Sequence, residues 1–186
     1  MAVDGDREDD KARRFRDAAL PYLDDVFTLA RYLMRNTADA EDAAQECYLR
    51  ALRHFDSYRG PAMKPWLLTI LRNVCNAEFA RRGKQETLSD LSHDEAATEE
   101  APIWQEPEAP PETAMLQQHD DDAMRRLIAG LPAQFREVIV LREINDLSYQ
   151  EIAQVAGVPV GTVMSRLARA RSMLRSAWNV AEGATS

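Results

Sequence analysis

Arg166, Arg169, Arg171 and Arg175 stand on a stretch from Pro159 to Asn179 that holds no acidic residue. A guanidinium bonds bidentately to a guanine edge or sits on a phosphate, so arginines spaced along one helix are chemistry for gripping nucleic acid. Thr162, Met164, Ser165 and Ala168 are interleaved with them. The Ser165 hydroxyl can bond a base or a phosphate, and Thr162 or Ala168 can touch a thymine methyl.

Such groups work only if a scaffold aims them. Val163, Leu167, Ala170 and Leu174 recur at helical spacing and form an inward stripe, which leaves Thr162, Ser165, Arg166 and Arg169 off it. Upstream, Ser148 followed by Glu151 is a capping box, in which each side chain satisfies a backbone N–H that a helix start leaves free. The helix beginning at Tyr149 turns Ile152 and Val155 inward and offers small Ala153 where a second helix crosses. It stops at Gly157, which tolerates a left-handed conformation. A second helix opens near Pro159 or Val160 and runs to about Ala177. This is the pattern of a helix-turn-helix whose second helix enters the major groove with flanking arginines on phosphates.

A net charge of -8 looks wrong for such a role, but the charge is unevenly spread. Lys84 to Met124 holds twelve Asp and Glu against one Lys, and Asp4 to Asp10 adds a second acidic cluster. Arg53, Arg59, Lys64, Arg72, Arg81 and Arg82, by contrast, face only Asp56 and Glu78. Cys47 and Cys75 lie far apart in sequence, and with His54, His93 and His119 they form no zinc-type spacing. They read as small core residues, with no metal or cofactor implied. No Gly-rich phosphate loop, nucleophile elbow or carboxylate pair points to an enzyme. Apolar runs are too short for a membrane span and the acidic N-terminus is unlike a secretory signal, so a cytoplasmic protein without membrane insertion is expected.

Apolar spacing of three and four residues dominates, which predicts an all-α chain of two small helical domains. Residues 1–12 read as an acidic flexible N-terminus and 13–82 as a helical bundle. A flexible, acidic, Pro-containing linker follows at 83–112, then the helix-turn-helix domain at 113–179 and a tail at 180–186. In the bundle, Tyr22, Val26, Leu29, Ala30 and Leu33 mark a helix that stops near Asn36. Thr37 or Asp39 can cap the next, from Ala40 to about Phe55, with Ala40, Ala43, Ala44, Cys47, Tyr48, Ala51 and Leu52 inward. Its other side is polar apart from Leu49. After a loop containing Tyr58, Arg59, Gly60 and Pro61, a third helix runs from about Pro65 to Arg82.

Two motifs in this order, Asp39-Ala40-Glu41-Asp42-Ala43-Ala44-Gln45-Glu46 with Tyr58-Arg59-Gly60 and Trp66-Leu67-Leu68, then Leu131-Pro132 through Arg136-Glu137-Val138 to the helix-turn-helix, carry a family resemblance. The chain resembles the extracytoplasmic-function (ECF) sigma factors of the bacterial sigma-70 family over about Tyr22 to Leu174, linker excluded. The two domains then correspond to sigma region 2 and sigma region 4. The resemblance implies an alternative sigma factor that binds core RNA polymerase and directs promoter recognition, melting and initiation without catalysing a reaction itself.

It implies that Asp42, Gln45, Glu46 and Arg50 contact the beta-prime coiled coil, while the second domain meets the beta flap. Tyr58, Arg59, Met63 and Lys64 become candidates for the -10 element, where an unstacked base can be trapped by stacking and phosphate contacts. Trp66 is expected to anchor that loop from the core. Arg72, Asn73, Arg81 and Arg82 are candidates for the DNA backbone, and Thr162, Met164, Ser165, Arg166, Ala168, Arg169 and Arg171 for the -35 element. An anti-sigma factor that clamps both domains is an implied partner. The acidic linker is either an electrostatic stand-in for nucleic acid in the polymerase channel or an inert tether. Two competing readings are a conventional helix-turn-helix regulator on an operator and a sigma mimic that occupies an anti-sigma factor.

Overall fold

The computed structural model describes residues 3–34, 36–89 and 115–183, with side chains described over 8–34, 36–82 and 123–180. Eight α-helices follow one another in these residues, joined by turns and loops, with no strand among them. They are α1 (Val3–Ala19), α2 (Leu23–Met34), α3 (Thr37–His54), α4 (Met63–Ser89), α5 (Met115–Gly130), α6 (Ala133–Glu143), α7 (Tyr149–Ala156) and α8 (Val160–Gly183). The acidic segment between Ser89 and Met115, read above as a flexible linker, lies outside the described residues, as does the end of the tail.

In the first module α2, α3 and α4 pack on one another. Val26, Leu29, Ala30, Leu33, Ala40, Ala43, Cys47, Leu67, Leu68 and Leu71 fill the space between them. The run of small residues along α3 lets its neighbours approach closely, and the large leucines come mostly from α4. Cys47 and Cys75 are both buried there, and burial pushes each thiol up to about 12. These thiols are inert packing groups.

Three boundaries depart from the sequence reading. The N-terminal segment read as a flexible arm is helical from Val3. Asp10 pairs with Arg13 and Arg14 along the helix, Lys11 reaches Asp56 at 2.8 Å, and Phe15 packs edge-on against Tyr48 and Phe55. Those contacts anchor one end and helical cooperativity carries the rest. The cap of α3 is Asn36 instead of Thr37 or Asp39, its side-chain oxygen accepting from the Asp39 N–H at 2.8 Å. α4 continues past Arg82, where the linker was expected to start, as far as Ser89.

In the second module α6 packs on α7 and α8, with α5 against α6 and α8. Val138, Ile139, Leu141, Ile152, Val155, Val163, Leu167 and Ala170 form its interior. The two modules also meet, α2 against α6 and α4 against α7, so that their cores join.

Candidate nucleic-acid interface

The helix-turn-helix is set by its local chemistry. The Ser148 side chain accepts from the Glu151 N–H, and the Glu151 carboxylate accepts from the Ser148 N–H at 2.8 Å and its hydroxyl at 2.7 Å. These bonds hold the Glu151 carboxyl below its ordinary range, the Ser148 hydroxyl contributing most. Gly157 ends α7 with φ 64, and the N–H groups of Thr162 and Val163 turn back onto the Pro159 carbonyl to start α8. Arg142 lies over the Tyr149 ring at 5.3 Å and donates to the Leu147 carbonyl, tying α6 to the start of α7.

On α8, Val163, Leu167 and Ala170 of the inward stripe are buried and Leu174 is half-buried, while Met164, Ser165, Ala168 and Arg169 face solvent. Met164 is 53% exposed, an apolar group presented beside cations. Thr162 and Arg166 are half-buried at the edge of this face. Arg171 is exposed but bonded to Glu143 at 2.7 Å, so it also braces α8 on α6. The arrangement offers hydroxyl, thioether and guanidinium groups along one helix face, which suits base edges and phosphates.

The loop between α3 and α4 makes a second candidate surface. The Tyr58 and Trp66 rings sit 4.7 Å apart at 42°. Trp66 is half-buried against the core, in the anchoring place expected of it. Gly60 leaves room for the Tyr58 ring, because a Cβ there would meet Tyr58 Cε2 at 2.9 Å. A pocket of about 270 Å³ opens between Tyr58, Pro61, Pro65, Trp66 and Thr69. Arg59 is exposed and curls onto the carbonyls of Asp56 and Tyr58, while Met63 and Lys64 are half-buried at the start of α4. Aromatic faces next to a cation are what an unstacked base requires.

The other basic candidates divide. Asn73 and Arg81 are exposed, Arg81 pairing with Glu78 on the same helix. Arg82 bridges Asp39 at 2.7 Å and Glu78 at 2.9 Å, fastening α4 to the start of α3. Arg72 turns toward the second module, where its Nε donates to Glu137 Oε1.

On α3, Asp42 and Gln45 are exposed and Glu46 pairs with Arg50 at 2.6 Å. Leu49, 50% exposed, sits in the middle of this polar face. A single exposed leucine is ordinary on a protein surface, but its break in the polar pattern is the sequence signal for adding it to this face. Other participants carried no such signal. Gln154 of α7 lines the pocket beside Tyr58 and Trp66. Asp25, Glu137 and Asn145 join the modules: Asn145, 1% exposed, donates at 3.1 Å to both the carbonyl and the carboxylate of Asp25.

Comparison with known proteins matches these two modules separately. Residues 19–85 match the model of Sigma-70 region 2 and residues 121–174 that of Sigma-70, region 4. The chain is 32% identical to the RNA polymerase sigma-H factor of Pseudomonas aeruginosa over 166 residues, 89% of this chain and 86% of that protein. It is 36% identical to the ECF RNA polymerase sigma-E factor of Escherichia coli K12 over 139 residues, 74% of this chain and 73% of the relative. The solved structure of the sigma factor RpoE from Bartonella quintana, in complex with the anti-sigma factor NepR, matches with a TM-score of 0.71 at 27% identity. That match covers 90% of this chain and 98% of RpoE. Region 2 and region 4 in this order, with these relatives, place the chain in the sigma-70 family of transcription initiation factors, in its extracytoplasmic-function branch.

Proposed function

We propose that this chain works as an alternative sigma factor through three surfaces: α3 for core polymerase, the Tyr58 loop for an unpaired promoter strand, and α8 for the upstream duplex. Asp42, Gln45, Glu46 and Arg50, with Leu49 among them, dock on the polymerase beta-prime coiled coil, and the second module meets the beta flap. Tyr58, Arg59, Met63 and Lys64 receive the -10 element, and Arg72, Asn73, Arg81 and Arg82 follow its backbone. Thr162, Met164, Ser165, Arg166, Ala168, Arg169 and Arg171 receive the -35 element. The chain carries no catalysis of its own in this reading and acts in the cytoplasm, and no helix among its described residues is long and apolar enough to cross a membrane.

One observation supports this reading over an operator-binding regulator: the first module carries an aromatic pocket at Tyr58 and Trp66, a candidate second surface apart from the α8 face. A regulator that reads only duplex has no need of an aromatic pocket for an unpaired base. An anti-sigma partner, such as RpoE has in NepR, belongs to this reading, holding both modules.

The test is run-off transcription by core polymerase on a pool of promoter fragments, with and without the protein. Start sites that depend on the protein are the expected result. Polymerase binding without new starts would favour a sigma mimic, and no polymerase binding would return the chain to the operator-binding class.

A further inference from the structure

We propose that this chain reads its upstream duplex through thymine methyl groups: Val160, Met164 and Ala168 form an apolar stripe on α8 that lies against C5 methyls in the major groove, with Met164 as the specificity-determining residue. Methyl readout of this kind rests on the assignment of α8 to the duplex made above.

The three residues stand four apart, which puts them on one face of α8. Val160 is 37% exposed, and Met164 and Ala168 are also open to solvent. Packing does not account for them, because Val163, Leu167 and Ala170 already fill the interior of the second module from the other side of the same helix. Single exposed apolar residues are ordinary, but a row of them along the face that a duplex reader turns to the groove is a binding feature. Gly161 adjoins the row, and a Cβ placed there would meet nothing within 4 Å. No side chain at that position holds the first turn of α8 away from a groove floor.

Charge is kept off this row. Between Val160 and Ala168 the single cation is Arg166, half-buried and within electrostatic reach of Glu137, whose carboxyl burial raises while Arg72 and Arg166 pull it down. Arg169 and Arg171 follow, with Arg171 bonded to Glu143. Ser165 donates its hydroxyl hydrogen to the Thr162 carbonyl at 3.0 Å, which leaves its oxygen as an acceptor for the amino group of a neighbouring base. The N-terminal end of such a helix meets base edges, and its later turns meet phosphates. At the edges an apolar side chain has one apolar feature to meet, the C5 methyl of thymine, since the other bases present N7, O6 or amino groups there. A thioether laid over those polar atoms would strip their water without replacing the hydrogen bond. Met164 has three rotatable side-chain bonds and can follow the methyl while the buried stripe beneath fixes its backbone.

The test uses the full chain bound to core polymerase and promoter duplexes randomised over the -35 element only. Thymines should be enriched at positions facing the stripe, on one strand or the other. Replacing those thymines by uracil keeps every hydrogen bond of the base pair and removes only the methyl. Uracil should weaken binding by about fourfold for each methyl lost, the worth of one buried CH2. Met164→Ala should weaken the thymine duplex and leave the uracil duplex unchanged, so that the two converge at one position. Met164→Leu should restore the discrimination. Because Met164 is exposed, neither variant should lower the unfolding temperature. Val160→Ala should erase discrimination at a neighbouring thymine, and serves if Met164→Ala binds no duplex. Equal binding of thymine and uracil duplexes overturns the methyl readout, as does a uracil penalty that Met164→Ala and Val160→Ala leave intact. Those outcomes keep α8 as a duplex reader by other contacts, whereas recovery of no sequence preference from the randomised element overturns the assignment of α8 itself, and the methyl readout with it.

Discussion

The α8 face and the Tyr58 loop are both candidate readers of nucleic acid, yet they are made in opposite ways. The first is held by rules local to a few residues: a cap at Ser148, a left-handed glycine at 157 and a stripe at Val163, Leu167 and Ala170. The second is held by partners, with Tyr58 leaning on Trp66 across Gly60 and a wall supplied by Gln154 from the other module. A locally specified reader keeps its shape wherever its module goes. A loop specified by tertiary contacts changes when those contacts do, which fits a site that receives a base only after a strand has opened.

The largest break in this comparison comes from the core under α8. Ile152 is fully buried, and Ile152→Ala should cost about 2–5 kcal/mol of stability, read by urea unfolding, with loss of duplex binding in step. Removing Tyr58 should do the reverse. Tyr58→Ala should weaken an unpaired -10-type strand by about 1–3 kcal/mol, the ordinary worth of one stacked base, while duplex binding by α8 stays unchanged. Tyr58→Phe should retain most of the binding, because the ring supplies the stacking face. If Tyr58→Ala weakened duplex and single strand equally, the two surfaces would not be separate readers.

The same split explains what the sequence makes legible. Ser148, Glu151 and Gly157 announce the helix-turn-helix because caps and left-handed stops are written within one or two turns. At the start of α3, Asn36, Thr37 and Asp39 offer oxygens to nearly the same N–H groups, and the backbone geometry chooses Asn36. α1 reads as a charged arm until Phe15 is seen against Tyr48 and Phe55, on helices later in the chain. The polar face of α3 is legible from its period, and so is Leu49 as its interruption. Asp25 with Asn145 and Arg72 with Glu137 have no local signature, since nothing at position 25 or 72 names a partner in the second module.

Two glycines sharpen the contrast at smaller effect. Gly157 has φ 64, so Gly157→Ala should cost roughly 1–2 kcal/mol of stability from left-handed strain. Gly60 lacks that conformation but lies under Tyr58, where a Cβ would displace the ring edge. Gly60→Ala should therefore leave thermal unfolding of the second module alone and lower affinity for the unpaired strand. A fall in that module's stability with Gly60→Ala, equal to that with Gly157→Ala, would erase the distinction between local and tertiary specification.

The smallest expected effect isolates the cap. Ser148→Ala should cost about 1 kcal/mol, typical of a lost N-cap. Its pH dependence is more telling than its size. Glu151 has its carboxyl lowered by the Ser148 hydroxyl and N–H, so its folded pKa lies below its unfolded one. That contribution is present above the unfolded value of about 4.3 and is lost as pH falls through the folded value. Glu137 opposes it: burial raises its carboxyl despite Arg72, so its site favours the protonated acid and gains relative stability on acidification. A single acid titration of the chain mixes the two. The difference between the chain with Ser148 and Ser148→Ala removes the Glu137 contribution, which both share. That difference should be constant near neutrality and shrink below about pH 4.3. A difference that stays constant down to the acid transition would mean that Ser148 caps through its hydroxyl alone and that the Glu151 arm of the box carries no stability.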